Sequence, residues 1–388
     1  MGKSPRRKIR QFGRGIGPNC LHSYASCVNI HYHKLFYNRR RHKALVMGKI
    51  GFACKWIDHA DQVNGIKKDD DAKQYNTGST TVAWLKRQSQ HVAGEKLWDL
   101  MKQNIESTRK LVERVGGLDE QLRMVRISSD ILPVYTQADF AYFWRQPDVR
   151  AYMEMHFSKV GDIARDRNVR LSFHPGQFTV LASENDGIVG RSIEEFEYHA
   201  DMARMMGYGK TFQDLKINVH ISGKRGPDGI RAVYKKLSNE ARNCITIENE
   251  ENSWGLDDCL SISDIVPIVL DVHHHWIREG EYILPTDNRV KRVVDSWRGV
   301  RPTMHYSVSR EDYLVGHDGL TAPVHSQLLL DGFKKQKLRA HSDFYWNQKT
   351  NEWAITFLNQ FDIMCESKGK NLASRELYNQ AKSYLENN

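Results

Sequence analysis

Short apolar, β-branched runs recur along the chain, and most of them end in a polar or ionisable residue. LVMGKIGFAC (45–54), LRMVRISS (122–129), VRLSFHP (169–175), LKINVHIS (215–222), CITIENE (244–250), PIVLDVHH (267–274), PTMHYSVS (302–309) and FDIMCE (361–366) each read as a buried strand. Apolar runs bounded by turn or polar signals have no solvated face, which is the signature of a strand covered on both sides. Helical patterns fall between most of them, near 96–115, 149–167, 191–206, 229–241, 256–264, 289–298 and 370–386. About eight strand and helix units in alternation match the closed (β/α)8 TIM barrel. An open doubly wound sheet is the alternative, but it would gather its ligand at one switch point instead of recruiting nearly every strand. The polar segment 55–95 predicts a long loop over the barrel rim. The segment 309–352, with Gly316, Gly319 and Pro323, breaks the rhythm and carries His341, and long irregular segments of this kind are often lids or binding loops.

The polar residues at the ends of these runs have a common chemistry. His174, His220, Glu248, Asp271, His274, His305 and Glu366 stand at or near strand ends, and a parallel barrel gathers the C-terminal ends of all its strands at one rim. Imidazole and carboxylate together suit Zn, Mn, Fe or Co, and several of each suit more than one ion. Ions a few ångströms apart can ionise a water and stabilise the attacking and leaving oxygens of a phosphodiester, so phosphate-ester hydrolysis is the natural reaction. A lone histidine at a strand end is more often hydrogen-bonded packing. Carboxylates at the ends of apolar runs are harder to dismiss, because burying one without a partner is expensive. Asn249 is placed to fix the orientation of a neighbouring ligand. Strand alternation pairs Asp271 with His273 on one face.

Charge separates the head of the chain from the rest. The formal net charge of the 388 residues is +10, but residues 1–49 hold twelve Lys or Arg and no acid, so +10 less 12 leaves −2 for the remainder. Such a head suits a polyanion-binding arm; a solvated tail and an organelle transit peptide are the competing explanations. Cys20, Cys27, His31 and His33 in this head could hold a zinc ion, although their spacing matches no standard finger. The six cysteines show no disulfide framework, and with no apolar span or secretory signal the expectation is an intracellular protein, not secreted and with no membrane segment.

The motifs GFAC (51–54), RISSDILP (126–133), SFHPGQF (172–178), NVHISG (218–223), IENE (247–250), DVHH (271–274), MHYS (304–307), AHSDF (340–344) and ESKGK (366–370) together resemble the ultraviolet-damage endonuclease family, which is related to endonuclease IV. The likeness runs from about residue 46 to the C-terminus and implies a barrel domain over 46–388 behind a basic extension over 1–45. It implies a cluster of divalent ions, commonly manganese with Zn, Co or Mg as alternatives, and a metal-activated hydroxide that nicks damaged double-stranded DNA 5′ to cyclobutane dimers and 6-4 photoproducts, with abasic sites as a further target. It makes ligands of His174, His220, Glu248, Asp271, His274, His305, His341 and Glu366, with Glu248, Glu366 and His274 closest to the chemistry. It makes Phe52, Gln177 and Phe178 probes of the lesion, and Lys368 and Lys370 phosphate contacts. The chain departs from the pattern twice: Thr303 stands where many relatives have a lysine ligand, and Asp130 where some have a histidine. Asp130 could still ligate a hard cation or could cap the turn before Ile131. A monomer is expected. Two other functions compete, a sugar isomerase or epimerase on a similar barrel and a DNA-binding relative whose site has decayed.

Overall fold

The computed structural model describes residues 47–64 and 71–387. The boundary between 45 and 46, the basic arm and the Cys20, Cys27, His31 and His33 group therefore lie outside the described residues. Eight strands form one sheet: β1 (Ile50–Ala53), β2 (Met124–Arg126), β3 (Arg170–Phe173), β4 (Lys216–His220), β5 (Ile245–Glu248), β6 (Ile268–Val269), β7 (Thr303–Tyr306) and β8 (Asp362–Cys365). Their order is β6-β5-β4-β3-β2-β1-β8-β7, and every pairing is parallel. The edges β6 and β7 meet through a single parallel bridge, Asp271 to His305, where the His305 N–H donates to the Leu270 carbonyl at 3.0 Å. The barrel is thus nearly closed, and its last join is made by two residues of the candidate site.

Helices cover the outside: α1 (Gln90–Gly116), α2 (Pro147–Asp166), α3 (Asp186–Met205), α4 (Gly226–Tyr234), α5 (Leu256–Leu260), α6 (Val272–Glu279), α7 (Asn288–Ser296), α8 (Gln348–Ile355) and α9 (Lys370–Asn387). Alternation sends Ile217 and Val219 of β4, and Ile245 and Ile247 of β5, toward this layer, where they join the main apolar core. Helix boundaries follow caps more than hydrophobic pattern. Helix α1 begins six residues before the expected 96 because Ser89 Oγ accepts from the Val92 N–H. The helix expected over 229–241 is broken in two, since Ser238 Oγ caps a separate short helix, Asn239–Cys244, through the Ala241 N–H. The expected 256–264 helix ends at Leu260. The segment 55–95 is not all loop, for it holds a short helix, Val82–Lys86, and the start of α1; the 309–352 insertion likewise contains His325–Leu330, Lys335–Leu338 and the start of α8. No helix among the described residues is long and apolar enough to cross a membrane.

The inside of the barrel departs from the usual filling of bulky branched side chains. Its apolar part is small, Ala53, Met124, Met364 and Val269, and most of the remainder is polar. Near the N-terminal ends of the strands, the carboxylate of Asp362 accepts from Arg170 Nη1 at 2.6 Å, Arg301 Nε at 2.9 Å and the Lys49 N–H at 2.7 Å. That lock ties the lower ends of β3 and β8 to the segments leading into β1 and β7.

Candidate metal centre

Glu248 ends β5 and is wholly buried. Its Oε2 lies 3.4 Å from His174 Nε2 and 3.9 Å from His220 Nε2; its Oε1 lies 3.1 Å from His305 Nδ1 and 3.5 Å from His274 Nδ1. Four imidazoles from four different strand ends therefore surround one carboxylate. Asn218 Nδ2, two residues before His220 on the same face of β4, donates to Oε2. Burial alone would push the Glu248 carboxyl up, but the imidazoles of His305 and His220 outweigh it and hold the group well below the usual carboxylate range.

Two sets of possible ligand atoms share this glutamate. His174, His220 and Glu248 each offer one atom within 4.8 Å of the others, and so do Glu248, Asp271, His305 and Glu366. Glu366 follows β8, with Oε1 at 3.3 Å from His305 Nδ1 and in a close ion pair with Arg126 Nη1. Its carboxyl is also held low, the His305 and Arg126 charges overcoming burial. Asp271 behaves differently. Burial, reinforced by Glu248 and Glu366, pushes its carboxyl well above the usual range despite the neighbouring His274, and its Oδ2 is buried with no hydrogen-bond partner. His305 is pushed down to about 4 by burial.

At the end of β6 the local geometry selects between two neighbouring histidines. Asp271 caps α6, its Oδ1 accepting from the His274 N–H at 2.7 Å. From that residue the period is helical, so position i+3, not i+2, shares the side of Asp271. His274 accordingly faces Glu248, while His273 turns away and places Nε2 3.2 Å from the Leu338 carbonyl. His274 Nδ1 sits 2.9 Å from the Asn249 carbonyl, and Nε2 lies 3.6 Å from Glu251 Oε2; burial would lower its pKa, but Asp271, Glu248 and Glu251 raise it to about 10. Asn249 bonds the Asp271 backbone in both directions, at 2.9 and 3.0 Å. It orients Asp271 and His274, and Glu248 is oriented by Asn218 instead.

The remaining expected site residues divide into those at the rim and those away from it. His341 lies in the insertion, bridged to Ser309, with its ring 6.1 Å from that of His273; neither it nor His274 belongs to the two ligand groups. Gln177 and Phe178 occupy an exposed turn after β3, Phe178 being 85% exposed. Lys368 pairs with Asp343 at 3.2 Å, and Lys370 opens α9, partly buried. Phe52 does not fit a probe of the lesion: it is 1% exposed and meets Trp56 edge-on at 5.9 Å. Strand alternation turns Phe52 outward into the layer between barrel and helices, while its neighbours Gly51 and Ala53 face inward. Asp130 is exposed and outside both ligand groups, and the side-chain bond of its turn comes from Ser128 Oγ, which accepts the Asp130 N–H at 3.1 Å. Thr303 is buried inside the barrel with an unpartnered hydroxyl.

Four residues that the sequence did not single out belong to this environment: Arg126, Lys216, Asn218 and Glu251. Lys216 Nζ lies 3.0 Å from His305 Nε2, and burial lowers its pKa to about 7. Glu251 links His274 to the insertion, since its Oε1 accepts from Arg339 Nη1 at 2.7 Å. The signal for Lys216 and Asn218 was a period of two, 216, 218 and 220, along one face of β4.

Parallel barrel topology and a buried imidazole and carboxylate cluster at the rim define a TIM barrel with a centre able to hold cations. Residues 48–388 match the model of the UV-endonuclease UvdE family, and the chain belongs to that family. It is 26% identical over 300 residues to the UV-damage endonuclease of Schizosaccharomyces pombe, covering 73% of this chain and 46% of that protein, so it spans about half of that relative's length. It is 25% identical over 307 residues to the UV DNA damage endonuclease of Bacillus thuringiensis subsp. konkukian, covering 76% of this chain and 85% of that one. The crystal structure of SacUVDE shares the fold, with a TM-score of 0.64 and 22% identity over 87% of this chain and 98% of that one.

Proposed function

We propose that this protein is a DNA repair endonuclease that cuts the phosphodiester backbone 5′ to ultraviolet photoproducts, using divalent cations held at the barrel rim. The observation that carries the proposal is Glu248, fully buried yet ringed by four imidazoles and flanked by Asp271, whose Oδ2 accepts no hydrogen bond and has only His274 Nδ1 at 3.7 Å. A buried carboxylate oxygen with no donor is costly, and a cation satisfies it. The donor set fits Mn, Zn or Co, with mixed imidazole and carboxylate favouring Mn over the purely oxygen-seeking Mg. His174, His220 and Glu248 would hold one ion, and Glu248, Asp271, His305 and Glu366 a second; His274 and His341, outside both groups, would serve a further ion. When bound, such ions act as Lewis acids on the phosphate and lower the pKa of water.

The chain's own residues supply orientation. Arg126 holds Glu366, Asn218 holds Glu248, and Asn249 directs Asp271 and His274. Gln177 and Phe178, in the exposed turn after β3, would enter the stack where a photoproduct has weakened it. Lys368 and Lys370 would position phosphates. The names of the two relatives above support DNA damage as the target. Incubation of the purified full-length chain with Mn(II) and a labelled duplex carrying one pyrimidine dimer tests the proposal. A nick immediately 5′ to the dimer is expected; an intact strand at saturating protein and metal would refute it.

A further inference from the structure

Among the strand residues facing into the barrel, Lys216 has an environment that sets it apart. It opens β4, is 2% exposed, and shares the inward face with Asn218 and His220. Its Nζ reaches across the barrel to Nε2 of His305 on β7, at 3.0 Å. It forms no ion pair with any carboxylate among the described residues, an uncommon state for a buried lysine. The groups that could otherwise stand behind the ring do not bond to it: Ser172, in register with Lys216 on β3, and Thr303, two residues before His305, both keep buried hydroxyls without a partner. The other ring nitrogen, Nδ1, lies 3.1 Å from Glu248 Oε1 and 3.3 Å from Glu366 Oε1.

An imidazole has two nitrogens, and a bond made by one fixes where the other points. We propose that Lys216 is a positioning residue for the cation site that Glu248, Asp271, His305 and Glu366 would form: its amine accepts the Nε2 proton of His305 from below and so keeps the lone pair of Nδ1 directed between the two glutamates. Strand β7 carries threonine at position 303, too short to reach the ring, and the polar group behind His305 comes from β4 instead. Lys216 touches neither DNA nor the reacting phosphate. This inference rests on the reading that the cluster holds cations.

Mn(II) uptake by the full-length chain, followed through the electron paramagnetic resonance of free Mn(II), provides the test alongside steady-state nicking. For Lys216→Met, the affinity of one class of Mn(II) is expected to weaken by about 10–100-fold, the usual effect of losing a group that orients a ligand. The Mn(II) concentration for half-maximal nicking should rise in parallel, while KM for the damaged duplex stays unchanged. Lys216→Gln, which keeps a polar group in the barrel, should recover part of the lost affinity. A merely structural lysine would lower the folded fraction without shifting Mn(II) affinity. If Lys216→Met does not fold, Lys216→Ala, which leaves room for water in a polar barrel, carries the same comparison. Mn(II) binding by the folded variant indistinguishable from wild type overturns the inference alone. Wild-type protein that takes up no Mn(II) overturns the cation reading and this inference together.

Discussion

The two ends of the barrel are both charged and both buried, and they handle charge in opposite ways. Asp362 and Glu366 sit on the same face of one chain segment, four residues apart, with Met364 between them. At the lower end, Asp362 is met by two guanidinium groups and a backbone N–H, all at 2.6–2.9 Å. At the upper end, three carboxylates crowd together, and only Glu366 has an arginine; Glu248 and Asp271 have imidazoles, and Asp271 Oδ2 accepts no hydrogen bond. The lower end is neutralised by the protein itself. At the upper end positive charge is left to be supplied, which is the difference between a structural lock and the site proposed above to take cations.

Breaking the lock gives the largest effect. Asp362→Ala leaves Arg170 and Arg301 facing each other without their shared carboxylate, and is expected to cost about 3–5 kcal/mol of stability, nearer the lower figure because both arginines are partly exposed. Urea unfolding measures it, and nicking per folded molecule should be little changed. An equally stable variant would mean that the lower end is not a lock.

An imidazole outside the cluster calibrates those within it. His199 on α3 is fully buried, its Nδ1 donating to the Glu195 carbonyl at 2.7 Å, and burial lowers its pKa from 6.5 to about 4. Over that window the unfolded chain binds a proton that the folded chain refuses. His199 therefore withholds no stability above about pH 6.5, and stability declines as the pH falls toward 4, by about 3 kcal/mol in total. In His199→Gln the loss between pH 7 and 4.5 should be smaller than in wild type. Parallel pH profiles for the two proteins would show that the acid limb arises elsewhere.

At the rim the opposite pattern is expected. Glu248→Gln should lower the nicking rate by more than about 100-fold, since loss of a shared ligand exceeds the effect of losing its supports, or about 2.7 kcal/mol in barrier. In the presence of a chelator the unfolding free energy of Asp271→Asn should equal or exceed that of wild type, because burial beside Glu248 and Glu366 disfavours the Asp271 charge in the folded chain. A variant that loses stability under those conditions would erase the contrast between the two ends. Phe178→Ala gives the smallest change: stability within about 0.5 kcal/mol, but affinity for a dimer-containing duplex weaker by about 1–3 kcal/mol, read by competition against undamaged duplex.

Much of the fold was legible because parallel strands buried on both faces leave continuous apolar runs. All eight expected runs contain a strand, and the barrel follows from their number and alternation with helices. Helix ends were less legible, since Ser89 and Ser238 act through single hydrogen bonds that hydrophobic periodicity does not record. At the site, the imidazoles and carboxylates at strand ends were visible as residue types. The choice between His273 and His274 was not visible from alternation, because a capping aspartate changes the period from two to 3.6 within one residue. Phe52 was misplaced for a related reason: a position next to the rim does not tell which side of the wall a side chain faces.

By itself, then, the sequence determined what depends on neighbours along the chain: strand and helix alternation, the residues available at strand ends and the exposed turn after His174. Only the tertiary structure decided what depends on distance across the barrel. Asp271 and His305 close the wall between β6 and β7, Asp362 rather than Glu366 receives the lower arginines, and a lysine on β4 stands behind a histidine on β7. Those pairings follow from the stagger and closure of the barrel, which bring together residues as far apart as Lys216 and His305, and no local pattern encodes that separation.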